Sequence, residues 1–527
     1  MERRMSPPER SRALGIDLGT TLSAVAQVNE FGIPTVLPNV EGSPTTPSVV
    51  LFDGRQVVVG SGARDAIASE LDLVVQLVKR QIGSQWVYEY AGIGYRAEHI
   101  SALILRKVMR DAQLLVGPVT EAVITVPAYF NDSMRLATRR AGELAGVEVL
   151  GLLAEPTAAA IAFGYNRRPE GAIGVVVDLG GGTFDVTVMR YEGADLTVLA
   201  TGGDSYLGGA NFDKLLFDHF AEQFAIETGL DVNDPDALSI EEFCELSGDW
   251  LTRATHTKHD LSTRERSTVS LQAARRSHRL TVSRDTFASL SRVLLDEMSE
   301  MMLDVMNQAG LRPSDADVVL AVGGSTRMPM VRQRISQVFG QEPDTSVRPD
   351  EAVAMGAALY AGRRQLELGQ SLMVAPEAHR YLEEMHITDV CSHGLGVSAF
   401  DASPQAGGRI VLTSILKRNT PLPCEASQTF YTARPNETSI LIPILEGDEP
   451  DPELARRIGQ IAITGLPEGR PASQPVLVTM RYDRDGILQV EATDVESQQS
   501  AVAKIERGLE SVGTPEADAA VRSLTIA

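Results

Sequence analysis

The sequence predicts an α/β body followed by an all-β module, on three observations. First, Val175-Val176-Val177-Asp178-Leu179-Gly180-Gly181-Gly182-Thr183-Phe184-Asp185 joins a β-branched run to a glycine turn and a returning strand. Second, Gly15-Ile16-Asp17-Leu18-Gly19-Thr20-Thr21 repeats the order strand, Asp-Leu-Gly, hydroxyl residue near the N-terminus, and Val318 to Arg327 supplies a third strand-and-glycine unit with Gly323, Gly324 and Ser325. Third, the composition changes after Tyr360, first to a polar segment and then to short strands with frequent turns, as in an all-β module.

The first two observations carry chemistry. Glycine takes positive φ without a Cβ penalty, so each turn can press its backbone N–H groups against an anion, and Asp17 and Asp178 stand beside the turns as hard oxygen donors for Mg²⁺. A single triple-glycine turn also joins plain strands. Two Asp-bearing hairpins facing each other would hold a polyphosphate and its metal from both sides, while the third turn could close over a nucleoside.

A chain of 527 residues exceeds one hydrophobic core. The formal charge of -22 argues against a nucleic-acid footprint, which is basic. Three cysteines, Cys244, Cys391 and Cys424, have no metal-ligand spacing and fit a reducing compartment better than a disulfide framework. Residues 1–12 read as a disordered leader without the apolar run of a signal peptide, and no later stretch approaches the roughly 20 apolar residues of a membrane span.

In order, Leu14 to Val28 reads as strand, first turn and returning strand, and Ser48 to Phe52 as a further strand. Lys79 and Arg80 follow an apolar run and fall near a helix end facing the cleft; a solvated turn is the alternative. Gly83 to His99 is short and turn-rich. Ile100, Leu103, Ile104, Val108, Ala112 and Leu115 recur at helical spacing until Gly117-Pro118, and Val123 to Val126 is a buried strand ending at Pro127, with Asn131 or Asp132 as the next helix cap. Glu155 precedes Pro156 at a helix start, where it can cap the helix or act as a catalytic carboxylate. Gly202 to Gly209 reads as a glycine-rich loop, Arg253 to Arg279 as a basic stretch that is either a solvated helix or a nucleoside contact, and Leu290 to Ala309 as one amphipathic helix with core methionines. Ile440, Ile442 and Ile444 alternate on one strand face, and Asp485-Gly486 marks a hairpin turn.

From about Ala13 to Glu506 the chain resembles the seventy-kilodalton heat-shock (DnaK-type) chaperones, on the three turns together with Val123 to Asp132, Glu155 to Ala160 and Asp350 to Gly356. The resemblance implies a two-lobed, actin-like (ribonuclease-H-like) ATPase domain at 13–362, an interdomain linker at 363–388, a β-sandwich substrate-binding domain at 389–506 and a short polar tail at 507–527 in place of a helical lid. It further implies an ATPase with ATP and Mg²⁺ as cofactors, Asp17 and Asp178 holding the metal through water, and Gly19, Thr20, Thr21, Gly180, Gly181, Gly182 and Thr183 lining the phosphates. Lys79, Glu155 and Thr183 would surround the attacking water, with Asp185 supporting the second turn. Lys258, Ser262, Gly323, Gly324, Ser325, Arg327 and Asp350 would surround the nucleoside. Val397, Phe400, Phe430, Ile440 and Ile442 would line a peptide cleft, and Pro127 and Arg135 would form the allosteric switch. The implied partners are unfolded or extended polypeptide, a J-domain co-chaperone and a nucleotide-exchange factor, with no nucleic acid and no membrane, in a cytoplasmic stress-response role.

The sequence departs from the family pattern at four places. Thr255 and His259 replace a Glu and an Arg of the nucleoside helix, Gly151 stands where an Arg serves the J-domain contact, Tyr381 to Thr388 replaces the leucine-rich linker, and the segment holding the subdomain IB lobe is cut down between Gly83 and His99. Three readings follow: an ATP-hydrolysing chaperone, a non-hydrolysing ATP sensor or scaffold with a fixed partner, and a small-molecule kinase on the same scaffold. The last is opposed by Thr183 and by the β module, because a kinase needs an acceptor-binding Asp and no peptide module.

Overall fold

In a computed structural model the chain is described over residues 12–165, 167, 170–234, 236–346, 348–400, 409–504 and 515–527, so the expected leader at 1–12 lies, apart from Arg12, outside the described residues. The two Asp-bearing hairpins sit at equivalent places in two sheets. In lobe I, Leu14–Asp17 runs parallel to Glu121–Val126 and antiparallel to Leu22–Val28, within the order Glu148–Ala154, Glu121–Val126, Leu14–Asp17, Leu22–Val28, Pro34–Leu37. In lobe II, Glu170–Leu179 runs parallel to Val318–Val322 and antiparallel to Phe184–Glu192, which pairs in turn with Asp195–Asp204. Val175, Val176 and Val177 are fully buried, as befits a central strand covered on both faces.

Two helices lie between the lobes. Glu155–Gly164 and Ala352–Glu367 share a core with Val176, Leu320 and Val322 of lobe II and with Ala24, Ala26 and Val123 of lobe I. They approach closely because Gly356 has no side chain; a Cβ there would overlap the Ala158 backbone. The Ala97–Val116 helix closes lobe I and ends at Gly117, and Asn131 caps Asp132–Leu144 by accepting from the Met134 N–H at 3.2 Å. Between them and the small Val50–Asp53 sheet, the turn-rich stretch after Gly83 folds into a hairpin, Val87–Tyr90 with Ile93–Arg96, whose tyrosines pack around Phe52.

The β module consists of two four-stranded antiparallel sheets. One has the order Ile410–Leu416, Leu395–Phe400, Ser439–Glu446, Arg456–Thr464, and the other Cys424–Tyr431, Pro475–Tyr482, Leu488–Asp494, Ser500–Lys504. Their facing residues, among them Leu395, Ile444, Ile458, Val478 and Val490, form one core.

The expected 290–309 helix is found as Arg292–Gln308, preceded across Ser291 by the separate helix Arg284–Leu290, with Met298, Met302 and Met306 buried as expected. Three expectations are corrected. Gly202 and Gly203 belong to the Asp195–Asp204 strand rather than to a loop. The 363–388 stretch is mostly lobe: Ala352–Glu367 ends inside it, Pro376–Glu384 packs on that helix, and Tyr381, Leu382 and Met385 are buried in the inter-lobe core. Only Ile387–Thr388 remains extended, as an added strand parallel to Leu196 and Thr197. Residues 515–527, expected as polar tail, form the helix Pro515–Ser523 and the strand Thr525–Ile526, because Ala517, Val521 and Ile526 have a lobe I surface on which to bury.

Candidate nucleotide site and coupling surface

The three glycine turns meet between the lobes. Thr20 and Thr21 of the first turn lie against Gly182 and Gly181 of the second so closely that a Cβ on either glycine would overlap a threonine side chain. Gly323 of the third turn, at φ 80°, faces the Leu179 carbonyl and Asp178. Ser325 Oγ donates to the Gly180 carbonyl at 2.9 Å.

The carbonyls of the second turn are all held on one side. Gly209 N–H donates to Gly180 O at 3.0 Å, Ala210 N–H to Gly181 O at 2.8 Å, and Arg80 Nε to Gly182 O at 3.0 Å. In a planar trans peptide the N–H points opposite to the preceding carbonyl, so the N–H groups of Gly181, Gly182 and Thr183 are directed away from these partners, as an anion cradle requires. Arg80 also donates to Asn211 Oδ1 at 2.6 Å, which ties the cradle to the start of the Gly209–Thr228 helix.

Beneath the cradle lie four carboxylates and one ammonium. Lys79, in the short Val78–Gln81 turn of helix, is buried and ion-paired with buried Glu155, and its ammonium stands 5.8 Å from the Phe130 ring centroid. Asp17 accepts from Thr125 Oγ1 at 3.3 Å. Burial first, then Glu155, pushes Asp17 up to about 7 against the pull of Lys79. Burial and then Glu155 push Asp185 up to about 7 as well, opposed by the Tyr129 N–H, which donates to its Oδ1 at 3.0 Å. Asp178 is raised well above the ordinary carboxylate range by burial and then by Glu155, Asp185 and Asp17. One lysine cannot neutralise four carboxylates, and this uncompensated charge in a buried site favours the protonated forms of Asp17, Asp178 and Asp185. Asp185 Oδ2 is buried with no partner among the described residues. Among the described residues no group of three or more His, Cys, Asp or Glu could hold a metal ion directly. Asp17 and Asp178 are hard oxygen donors of the type Mg²⁺ takes, and the unpartnered Asp185 Oδ2 beside them is compatible with a cation or its water nearby.

The expected nucleoside residues divide. Gly323, Gly324, Ser325, Arg327 and Asp350 gather at the third turn, where Arg327 and Asp350 form an ion pair. Lys258 instead donates to Asp213 Oδ2 at 2.8 Å and Gly209 O at 3.2 Å, bracing the helix under the cradle. Ser262 donates to the Lys258 carbonyl of its own helix. His259 is held below the usual histidine range by burial and then by Lys258.

Two lobes sharing the same parallel and antiparallel pairing around their Asp-bearing hairpins, with glycine turns facing across a buried Lys–carboxylate cluster, fit an actin-like ATPase fold. Within that class the chain belongs to the Hsp70 protein family, whose model matches residues 13–91 and 86–521. Members of that family are generally ATP- and Mg²⁺-binding chaperones and ATPases that act on unfolded polypeptide with co-chaperones.

A second group of residues joins the site to the β module. Asp185 holds the Tyr129 N–H; on the neighbouring Ala128 carbonyl, Ser392 Oγ and Arg135 Nη2 donate, and the Tyr129 ring packs edge-on to His393 at 4.2 Å. Arg135 reaches further, donating to Asp485 O at 3.2 Å, while Leu488 N–H donates to Asp132 Oδ1 at 2.7 Å and Arg139 pairs with Asp485. On lobe II, Arg418 donates to Thr201 O at 2.9 Å and the Thr201 N–H to Asn419 Oδ1 at 3.2 Å. Asp485, Asp132, Tyr129 and Arg80 were not singled out from sequence for these roles; the hairpin reading of Asp485-Gly486 gave the turn but not its docking partner. The turn also lies against Gly151, where a Cβ would come within 3.2 Å of Asp485 Oδ1.

The expected peptide-cleft residues are not all on one open surface. Val397 and Ile442 face into the core of the module, Phe430 and Ile440 pack against that core, and Phe400 is exposed. Alternation along Leu395–Phe400 and Ser439–Glu446 decides this, because the same face that shows apolar residues in sequence is the one buried between the sheets. The loop 401–408 that would flank a cleft lies outside the described residues. Among the described residues no helix is long and apolar enough to cross a membrane, and Cys244, Cys391 and Cys424 are free thiols.

Proposed function

We propose that this chain hydrolyses ATP and uses the cycle to bind and release extended apolar peptide on its β module. The observation that carries the reading is the buried Lys79–Glu155 pair among Asp17, Asp178 and Asp185, directly under a backbone cradle. Mg²⁺ would supply charge to hold and polarise the phosphates, with Asp17 and Asp178 binding its water shell. Thr20, Thr21 and Gly180 to Thr183 would bind the phosphates, and Gly323, Gly324, Ser325, Arg327 and Asp350 the nucleoside.

Hydrolysis needs a water held in line and charge stabilised where it develops. Lys79 is desolvated and fixed by Glu155, so its ammonium is pre-oriented and loses little on reorganisation. Glu155 would accept a hydrogen bond from a water held there, and Thr183 closes the second turn through Gly180 N–H donating to its carbonyl at 3.0 Å. We assign Lys79, Glu155 and Thr183 as the groups around the attacking water and Asp185 as the support of the turn. Pro127 and Arg135 are assigned to coupling, because the chain from Asp185 through Tyr129 and Ala128 ends on the β module.

In the β module, peptide would bind where Phe430 and Ile440 come partly to the surface at the margin of the core that Val397 and Ile442 help to fill, with Phe400 on the outer face of its strand. We assign the module residues 389–506, of which 401–408 and 505–506 lie outside the described residues. The family's partners include co-chaperones, and we assign a J-domain protein and an exchange factor to this chain as well, with the J-domain contact altered because the place of the arginine is Gly151, covered by Asp485. Free thiols fit a reducing, cytoplasmic setting. Single-turnover hydrolysis with and without an extended apolar peptide tests the reading: a peptide-stimulated rate is expected. Tight ATP binding with no turnover would leave a sensor, and ATP-dependent phosphorylation of a small molecule would leave a kinase.

A further inference from the structure

The β module enters and leaves the body through different lobes. At its start, Ile387–Thr388 lengthens the lobe II sheet, and the Leu196 N–H donates to His386 O at 2.9 Å. Beyond its last strand, Ser500–Lys504, residues 515–527 dock on lobe I. There Thr525 and Ile526 pair in parallel with Gln56 and Val57, and the Ala527 N–H donates to Val57 O at 2.9 Å.

This dock is built in detail. Val521 and Ile526 belong to the lobe I core, and Ala517 and Val521 are fully buried. Asp518 accepts from Arg140 Nη2 through both oxygens at 3.0 Å. His99 Nδ1 accepts from the Arg96 N–H at 2.9 Å, so its Nε2 carries the proton and donates to Asp518 Oδ1 at 3.0 Å. The last carbonyls of the segment are capped by arginines of the Ala97–Val116 helix: Arg106 donates to Val521 O and Arg110 to Ile526 O. A buried histidine, an arginine whose Nη2 is shared by both Asp518 oxygens and two arginines on the segment's carbonyls form a receptor for this one segment, on the surface of a lobe to which the β module is already applied by its Asp485 turn.

We propose that residues 515–527 are an intramolecular strap that holds the β module docked across both lobes, in series with the 387–388 strand. While strap and strand are both seated, the module stays tethered beside lobe I, and separating it from its docking surface or rotating the lobes apart beneath it is opposed. The connector 505–514 joins the last strand to the strap, and ten residues reach at most ~36 Å, so the attached strap confines the module near its docking surface. Confinement raises the effective concentration of the Asp485 turn at Arg135 and Arg139.

Hydrogen exchange on the full chain tests this in two variants. Val521→Asp puts a charge in the lobe I core to unseat the strap; a Gly/Ser insertion of about twenty residues between Gly508 and Leu509 leaves the strap seated but lengthens the tether from roughly ten residues to thirty, which lowers effective concentration about fivefold. The probes are the Leu488 and Leu152 amides, whose bonds to Asp132 and Asp485 exist only in the docked state. Both variants should raise exchange at these amides, by tenfold or more for Val521→Asp and by up to about fivefold for the insertion, with Val175 to Val177 unchanged. If the insertion variant exchanges at Leu488 and Leu152 as the parent does, the strap does not hold the module. A uniform rise that includes Val175 to Val177 equally overturns the proposal, because the segment then merely stabilises the whole body.

Discussion

Replacing Lys79 separates its two roles, because the structure gives the residue a buried partner whose charge can be removed as well. In Lys79→Met the apolar stem is retained and the ammonium is lost, leaving Glu155 buried beside Asp17, Asp178 and Asp185 with no cation. Breaking a buried ion pair from one side costs about 3–5 kcal/mol, and proton uptake by the remaining carboxylates offsets part of it, so destabilisation of about 2–4 kcal/mol is expected at neutral pH. Removing both charges in Lys79→Met/Glu155→Gln also takes away the carboxylate left bare; Asp17, Asp178 and Asp185 then lack a cation but are free of the Glu155 charge, so most of the lost stability should return. Hydrolysis should behave differently. Single-turnover rates should fall on the order of 100-fold or more in the single variant and stay down in the double one, since neither contains the group that stabilises developing charge. Urea unfolding and single-turnover hydrolysis measured on the same three proteins decide the matter. A double variant that regains both stability and rate would refute the catalytic role and leave Lys79 as a structural counter-ion.

Three further outcomes are expected. Asp178→Asn should weaken Mg-ATP binding in calorimetry, because it takes charge from the shell that both turns present; affinity equal to the parent would remove Asp178 from the metal site. Asp17 and Asp185, raised to about 7, bind protons in the folded apo protein that the unfolded chain has already lost, so apo stability should fall as pH rises from about 4 through 7 and level off above it. Ionising them for the cation means that Mg-ATP binding at pH 7 should release protons, and calorimetry in two buffers of different ionisation enthalpy should show unequal heats; equal heats would mean that the carboxylates were already ionised. Arg135→Ala should leave nucleotide affinity unchanged but loosen the Asp485 turn, seen as a smaller difference between peptide dissociation rates in ATP and in ADP by fluorescence anisotropy, whereas an unchanged difference would exclude Arg135 from coupling.

Much of the nucleotide site was legible because its signals are local. A β-branched run, an Asp and a set of glycines specify strand, metal donor and turn within about a dozen residues, and repetition of that unit announces a second one facing it. Pro156 after Glu155, Asn131 before Asp132 and Gly117 after the 97–116 helix likewise mark element ends by their own backbone chemistry. The chain fell short where a residue's fate depends on what lies opposite. Alternation at Val397 and Ile442 is the same for a cleft wall and a sandwich core, and only the second sheet decides between them. Polar composition made 507–527 look like a tail, yet three apolar residues suffice once His99, Arg106, Arg110 and Arg140 supply partners for its carbonyls and carboxylate from another part of the chain. Sequence by itself therefore determined the glycine turns, the carboxylates beside them and the family. Tertiary structure decided that one lysine must serve four carboxylates, that Asp485 fills the space beside Gly151, and that the β module is anchored on both lobes, because burial and pairing between distant segments are set by three-dimensional proximity and not by spacing along the chain.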